Sequence, residues 1–220
     1  MSVSPAVSYT RVAKVLHWLL VALVFGQVAF GWFLRTVERG TPDRSLYVNL
    51  HKSTGITIGL VILFRLYWRF THRPPPLPAA IAAWERLAAR ASHIALYACM
   101  VLMPVSGYLA SNFSKYGIKY FNVVALLPWG IDDKRIYAVF NTTHVVTSYV
   151  FVALIVIHVA AALTHLLRHD GIFERMWPGG LRKAVGQPPS AIATATSPTP
   201  PARKQRPTSH GLPSVKRDHQ

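Results

Sequence analysis

Four long apolar stretches, nearly free of charged residues, most constrain what this chain of 220 residues can fold into. They cover residues 15–34, 51–68, 93–110 and 142–167. Each is close to the roughly 20 residues that a helix needs to cross the hydrocarbon core of a bilayer. Four such helices in a soluble protein of this length would leave too little polar chain to cover them. We therefore predict an all-α, multi-pass membrane protein built as a bundle of four transmembrane helices.

The chain is strongly basic, with 24 Lys and Arg against 8 Asp and Glu. In a soluble protein this charge would indicate nucleic acid as a partner, but in a membrane protein it reports orientation, because basic residues are enriched in cytoplasmic loops. With a cytoplasmic N-terminus, sixteen of the basic residues lie inside and eight outside. We predict cytoplasmic N- and C-termini, lipid as a partner and no bound nucleic acid. Arg65, within the second stretch, is expected to reach toward the lipid headgroups.

The composition changes near the C-terminus to Pro, Ser, Thr, Ala and basic residues. Residues 1–180 are therefore predicted to form the helical domain and residues 181–220 a disordered basic tail. A short amphipathic helix is predicted over residues 79–91, and the aromatic loop at 111–137 is expected to pack on the outer surface. Cys99 is the only cysteine, which excludes a disulfide framework and a Cys-based zinc or iron–sulfur site. The absence of a C-x-x-C-H sequence excludes c-type haem.

Two histidines, His144 and His158, lie fourteen residues apart in the fourth apolar stretch. At about 100° per residue they leave the same helix face to within about 40°, and at 1.5 Å per residue they are roughly 21 Å apart. A neutral imidazole is costly in lipid unless its ring nitrogens have partners. The spacing therefore predicts two metal or proton sites, one near each membrane surface.

Two further histidines complete a pattern of depth. His51 opens the second stretch at the outer side, level with His144, and we call these two the outer pair. His17 lies at the inner side, level with His158, and we call these two the inner pair. Two axial imidazoles at membrane depth indicate haem b. Zinc is disfavoured because it wants three or four protein ligands, and the four stretches contain no Asp or Glu. We predict two haem b groups per chain, with one iron bound by each pair.

Other residues near these histidines have two interpretations each. Gly55 and Gly59 follow His51 at one-turn intervals, so they either leave room for a flat porphyrin or serve helix–helix packing. His93 and His165 are interpreted as partners of haem propionates or water at the inner side, and the alternative is that either is a ligand. Any single histidine could also be a packing residue or part of a proton relay. An iron with two axial histidines has no open position for oxygen, which favours electron transfer over oxidase chemistry.

Six segments between residues 9 and 180 form a specific combination: VLHW at 15–18, LHKSTG at 50–55, FRLYWR at 64–69, PVSGY at 104–108, HVAAALTH at 158–165 and DGIFERMWPG at 170–179. In these segments the chain closely resembles the bacterial cytochrome b561 family. The resemblance implies a four-helix, di-haem b electron carrier of the bacterial inner membrane that is linked to quinone. It also implies that the ligands are His17, His51, His144 and His158.

The resemblance leaves more than one function open. One branch of the family oxidises superoxide at the outer face and reduces ubiquinone, so the chain is expected to be an electron carrier or a superoxide:quinone oxidoreductase. Its partners would be ubiquinone and a small-molecule or protein electron donor. The alternative is a cytochrome b anchor subunit that takes electrons from a larger partner such as a hydrogenase. A transporter or proton channel is disfavoured by the lack of acidic residues in the four stretches.

Three lysines are expected near the outer pair. Lys52 follows His51 directly, and Lys115 and Lys119 lie in the aromatic outer loop. Together they are predicted to form a positive rim that steers small anions such as superoxide to the outer site. The alternative for Lys52 is that it binds haem propionates.

Overall fold

The computed structural model describes residues 8–76 and 81–178. It contains four long helices, α1 (Arg11–Phe33), α2 (Pro42–Thr71), α3 (Ala83–Asn112) and α4 (Lys134–Arg168). Each is long and apolar enough to cross a membrane, which confirms the predicted four-helix membrane fold. We call the end where α1 begins and α4 ends the inner end, and the opposite end the outer end. The predicted tail at 181–220 lies outside the described residues.

Local sequence signals set where the helices begin. The side chain of Thr10 accepts a hydrogen bond from the first turn of α1, and Thr41 does the same for α2, whose first residue is Pro42. Asp133 caps α4 by accepting from two backbone N–H groups of its first turn. The helices extend past the apolar stretches, and the 30 residues of α2 span about 45 Å against a hydrocarbon core of about 30 Å.

The prediction of a separate amphipathic helix over residues 79–91 is wrong. In the structure α3 runs without a break from Ala83 to Asn112 and includes the third apolar stretch. The sequence between Trp84 and Met103 contains neither glycine nor proline, so nothing ends the helix where the chain enters the apolar region. Pro104 is the proline inside α3, and it lies at the depth of the outer pair.

Helices that follow one another in the chain pack together: α1 with α2, α2 with α3, and most extensively α3 with α4. Within residues 8–76 and 81–178, no comparable packing joins α4 to α1 or to α2. A small cluster of Leu20, Ile58 and Ile62 fills the contact between α1 and α2. Many large apolar side chains point outward, as expected where lipid replaces water as the solvent.

A two-stranded antiparallel hairpin lies in the loop between α3 and α4. Strands β1 (Ile118–Tyr120) and β2 (Val124–Leu126) are joined by residues that include Phe121 and Asn122, both at positive φ. Such conformations are typical of tight hairpin turns. We call this unit the outer hairpin.

The outer hairpin is anchored to the outer half of α2. Ser53 accepts a hydrogen bond of 2.7 Å from the backbone N–H of Phe121, and the hydroxyls of Thr57 and Tyr120 lie 2.9 Å apart. Ser53 is fully buried beneath it. The hairpin part of the aromatic outer loop therefore packs on α2, whereas Tyr116 and Trp129 elsewhere in the loop are 77% and 63% exposed.

The segment that follows α4 returns across the inner end of the bundle. Its described part, residues 169–178, contains one 3₁₀ turn, Phe173–Arg175. Trp18 donates a hydrogen bond of 3.0 Å from its indole N–H to the carbonyl of Met176, and Lys14 Nζ donates one of 3.0 Å to the carbonyl of Trp177. The beginning of α1 is therefore held by the segment after α4.

Candidate functional site

The two histidines of the outer pair face one another in the structure. The ring centres of His51 and His144 are 6.3 Å apart, and the ring planes are at 85°. Two imidazoles on opposite sides of one metal ion, with metal–nitrogen bonds of about 2.0 Å, would have ring centres roughly 6 Å apart. The rings reach toward each other from α2 and α4, whose backbones are not closely packed. The spacing of the outer pair therefore fits two axial ligands of one iron.

The orientation of His144 is set by α3. Its Nδ1 lies 2.9 Å from the carbonyl oxygen of Met103 and 3.4 Å from Ser106 Oγ. A carbonyl oxygen can only accept, so Nδ1 carries the proton and Nε2 keeps the lone pair that a metal ligand needs. Gly107 lies directly against the ring, because a Cβ added there would be 3.1 Å from both Cε1 and Nδ1. Met103, Ser106 and Gly107 form what we call the His144 seat.

The position of His51 is set by α1. Gln27 donates a hydrogen bond of 2.8 Å from Nε2 to the carbonyl of His51 and accepts one of 2.6 Å from the Thr54 hydroxyl. Gly31 leaves room for the ring, since a Cβ there would be 3.3 Å from His51 Cε1. Nδ1 of His51 is buried and has no hydrogen-bond partner among the described residues. A buried ring nitrogen without a protein partner is costly and suits contact with a bound group.

At the inner end, His158 lies against an imidazole outside the inner pair. The ring centres of His158 and His93 are 5.5 Å apart, whereas the ring of His17 lies against that of Trp18, with 5.5 Å between their centres. The guanidinium of Arg65 lies 3.4 Å from His17 Nδ1. The structure thus places His93 beside His158. The assignment of His17 and His158 as ligands, with His93 as a neighbour or the alternative ligand, stays a prediction.

The expectation that Arg65 reaches toward the headgroups is wrong. Its guanidinium donates to the Tyr97 hydroxyl at 3.2 Å and to the carbonyl of Ala13 at 3.3 Å, so it points into the contact between helices. A charge inside the membrane region is stabilised when such acceptors surround it. The inner pair therefore has a fixed positive charge beside it.

The two glycines expected to make room for a porphyrin contact neighbouring helices. A Cβ on Gly55 would meet Gln27 Nε2 at 3.3 Å, and one on Gly59 would meet Pro104 Cβ at 3.2 Å. These contacts favour the helix-packing interpretation, while a role beside haem stays a prediction. The glycines against the histidine rings are Gly31 and Gly107, which the sequence analysis did not select.

Sequence signals for the missed residues existed. Gln27 is a polar side chain inside the first apolar stretch, and such residues often have a specific partner. Gly107 lies close to Pro104 and Ser106 inside α3. Three residues of these types so close together are unusual inside a helix that crosses a membrane, and they indicate a local contact with another helix. What the sequence lacked was the rotation of each helix toward its neighbours.

His165 has a carboxylate partner at the inner end. Its Nδ1 lies 2.6 Å from Asp170 Oδ2, and the other oxygen of Asp170 accepts a hydrogen bond of 3.1 Å from the backbone N–H of Ile172. This holds the start of the segment after α4. Contact of His165 with a propionate or water stays a prediction.

The three lysines of the predicted rim differ in their surroundings. Lys52 donates a hydrogen bond of 2.8 Å from Nζ to the carbonyl of Gly117 and so helps to hold the outer hairpin on α2. Lys115 is exposed, with Nζ 5.1 Å from the ring centre of Tyr116. Lys119 is exposed on β1. The steering role stays a prediction for all three, and the two exposed lysines are the ones whose charge faces solvent.

Comparison with known proteins supports the resemblance. A sequence model described as prokaryotic cytochrome b561 matches residues 8–179, which include all four helices and both pairs of histidines. The chain is also 32% identical to Cytochrome b561 homolog 2 of Escherichia coli (strain K12) over 171 residues. That alignment covers 76% of this chain and 90% of the relative.

Proposed function

This chain belongs to the prokaryotic cytochrome b561 family, and on that premise we propose that it is a di-haem electron carrier of the bacterial inner membrane. The family gives the chain a haem b cofactor and an electron-transfer role in a membrane. We assign one haem to the outer pair and one to the inner pair, with both termini in the cytoplasm. The observation that supports this most is the outer pair, whose ring centres are 6.3 Å apart.

Haem, when bound, supplies reversible one-electron chemistry at iron. Two imidazoles of the chain would hold each group, an arrangement that favours electron transfer over oxygen chemistry at iron. At the outer site, the carbonyl of Met103 accepts from His144 Nδ1 and orients that ring, while Gln27 holds the backbone of His51. At the inner site, the positive charge of Arg65 beside His17 favours the arrival of negative charge.

We further propose that superoxide is the electron donor at the outer end and ubiquinone the acceptor. Two superoxide anions each lose one electron and leave as dioxygen, and the two electrons with two protons convert ubiquinone to ubiquinol. Lys115 and Lys119 are exposed at the outer end and would raise the local concentration of a small anion. The outer hairpin, which carries Lys119, is anchored beside His51 through Lys52 and Ser53.

The test is optical and redox titration of the purified full-length protein in detergent. We expect two haems per chain that titrate separately, rapid haem reduction by enzymatically generated superoxide, and reoxidation by added ubiquinone. Superoxide dismutase should abolish the reduction. A haem-to-protein ratio of one contradicts the di-haem assignment. Reduction by ubiquinol but not by superoxide rejects the proposed donor and leaves the electron carrier in place.

A further inference from the structure

A basic cleft lies at the inner end between the start of α1 and the end of α2. Its larger part has a volume of about 140 Å³ and is lined by residues that include Tyr9, Ala13, His72 and Arg73. An adjoining smaller part of about 30 Å³ shares several of these residues and is also lined by Arg65, Trp68, Arg69 and Tyr97. We call the two parts together the arginine cleft. None of its residues belongs to either pair of histidines.

Three arginines occur at four-residue intervals along this cleft. Arg65 and Arg69 lie on one face of α2, and Arg73 follows just beyond the last turn. In the part of the chain that the structure describes, the ion pairs are His165–Asp170 and Arg168–Glu85, so none of these arginines is paired with a carboxylate. Arg65 and Arg69 line the smaller part of the cleft and Arg73 lines the larger part, and an anion bound where the two parts adjoin would offset the repulsion between like charges.

The arginines are not equally available to a ligand. The guanidinium of Arg65 is engaged by Tyr97 and Ala13. That of Arg69 lies 5.2 Å from the ring centre of Tyr97, a contact that leaves its N–H groups able to donate. Arg73 is exposed at the mouth of the cleft. Arg69 and Arg73 therefore provide the donors, and a guanidinium can bind a phosphate through two parallel hydrogen bonds.

The wall of the cleft carries an aromatic side chain of the kind that is common at the membrane interface. Trp68 forms part of its wall, stacks on His72 at 3.8 Å and donates from its indole N–H to Thr10 Oγ1 at 3.1 Å. A tryptophan whose indole N–H has a polar partner and whose ring contacts apolar groups is typical of the membrane interface. The same part of α2 presents Tyr67 and Phe70 outward, and Phe70 is 80% exposed. The acyl chains of a lipid whose headgroup lies in the cleft can thus contact these outward side chains.

We propose that the arginine cleft binds the phosphate of an anionic phospholipid, with Arg69 and Arg73 as the donors to its oxygens. Basic pockets between transmembrane helices at the cytoplasmic side are suited to anionic headgroups. Among the residues that the structure describes, the lining of the cleft contains arginines and no carboxylate. It therefore disfavours zwitterionic lipids, because the positive group of their headgroup would be repelled by the arginines. This site is independent of the electron donor and acceptor proposed above.

The test is native mass spectrometry of the full-length, haem-loaded protein after delipidation in detergent. The probes are phosphatidylglycerol and phosphatidylcholine with identical acyl chains. We expect preferential binding of phosphatidylglycerol, and a loss of affinity of about fivefold for each arginine removed. The double variant Arg69→Gln/Arg73→Gln should therefore bind phosphatidylglycerol roughly thirtyfold more weakly, with phosphatidylcholine binding unchanged.

The matched control is the double variant Arg39→Gln/Arg135→Gln, which removes the same charge from exposed positions at the outer end. It should retain the lipid like the wild type. If Arg69→Gln/Arg73→Gln is not obtained folded, Arg73→Gln alone provides the test with a fivefold effect, because this side chain is exposed beyond the helix.

Three outcomes overturn the proposal. Equal retention of phosphatidylglycerol by the cleft variant and the control means that the arginines do not bind the headgroup. Displacement of the lipid by millimolar inorganic phosphate assigns the cleft to a free anion. Loss of one haem from the spectrum of the folded cleft variant assigns the arginines to haem propionates.

Discussion

Replacing Gly107 with alanine should weaken the outer haem site without destabilising the helix bundle. The new Cβ would lie 3.1 Å from both Cε1 and Nδ1 of His144, whereas an ordinary contact is about 3.5–4.0 Å. The ring must therefore move by roughly half an ångström, and the hydrogen bond of 2.9 Å from Nδ1 to the carbonyl of Met103 is the contact that would be stretched. Such a bond contributes about 1 kcal/mol, equivalent to about fivefold in the affinity of the group that His144 binds.

The matched control is Gly26→Ala in α1, where an added Cβ meets nothing within 4 Å. In a helix interior, alanine is favoured over glycine by up to about 1 kcal/mol. Gly26→Ala should therefore resist thermal unfolding at least as well as the wild type. In Gly107→Ala the same gain offsets the cost of the contact with the His144 ring. The assay is the rate and extent of haem transfer to an excess of a haem-accepting apoprotein, followed optically. One of the two haems should leave several times faster from Gly107→Ala. Identical transfer and identical redox titrations in the two variants refute the assignment of the His144 seat.

Three other predictions concern ligands, orientation and substrate entry. Alanine at either member of the outer pair should remove one haem, and alanine at either member of the inner pair should remove the other; loss of the same haem from both pairs, measured spectroscopically, contradicts the pairing by depth. A reporter fused after Gln220 should read as cytoplasmic, and a periplasmic signal would reverse the inner and outer assignments. Lys115→Ala/Lys119→Ala should slow superoxide-driven haem reduction several-fold at low salt and flatten its salt dependence, with haem content unchanged. Arg11→Ala at the inner end is the control, and unaltered kinetics in the lysine variant remove the steering hypothesis.

The sequence by itself determined the fold class and the depth of each histidine. Backbone polar groups in lipid must be satisfied within the segment, so apolar stretches of this length have few alternatives to helices. The rise and rotation per residue of a helix are nearly constant, so the fourteen residues between His144 and His158 specify their separation and shared face without any knowledge of the neighbours. The family resemblance, which rests on six short segments of this chain, is confirmed by the family match over residues 8–179.

Only the tertiary structure decided which side chains meet at a given depth. The rotation of each helix about its own axis depends on packing with its neighbours. A helix that is apolar on most sides carries little sequence signal for that rotation. For this reason the sequence left two interpretations open for Gly55 and Gly59, whose added Cβ atoms would meet Gln27 and Pro104. It also gave no reason to select Gly107, which lies against the ring of His144.

The same reason explains Arg65 and His93. The position of Arg65 in the sequence indicates only its depth, and the acceptors that turn it inward, the Tyr97 hydroxyl and the carbonyl of Ala13, belong to two other helices. The proximity of His93 to His158 likewise depends on the close packing of α3 against α4. Depth follows from one helix, whereas each contact in these sites needs two or three helices in a particular rotation, and that rotation is a property of the folded bundle.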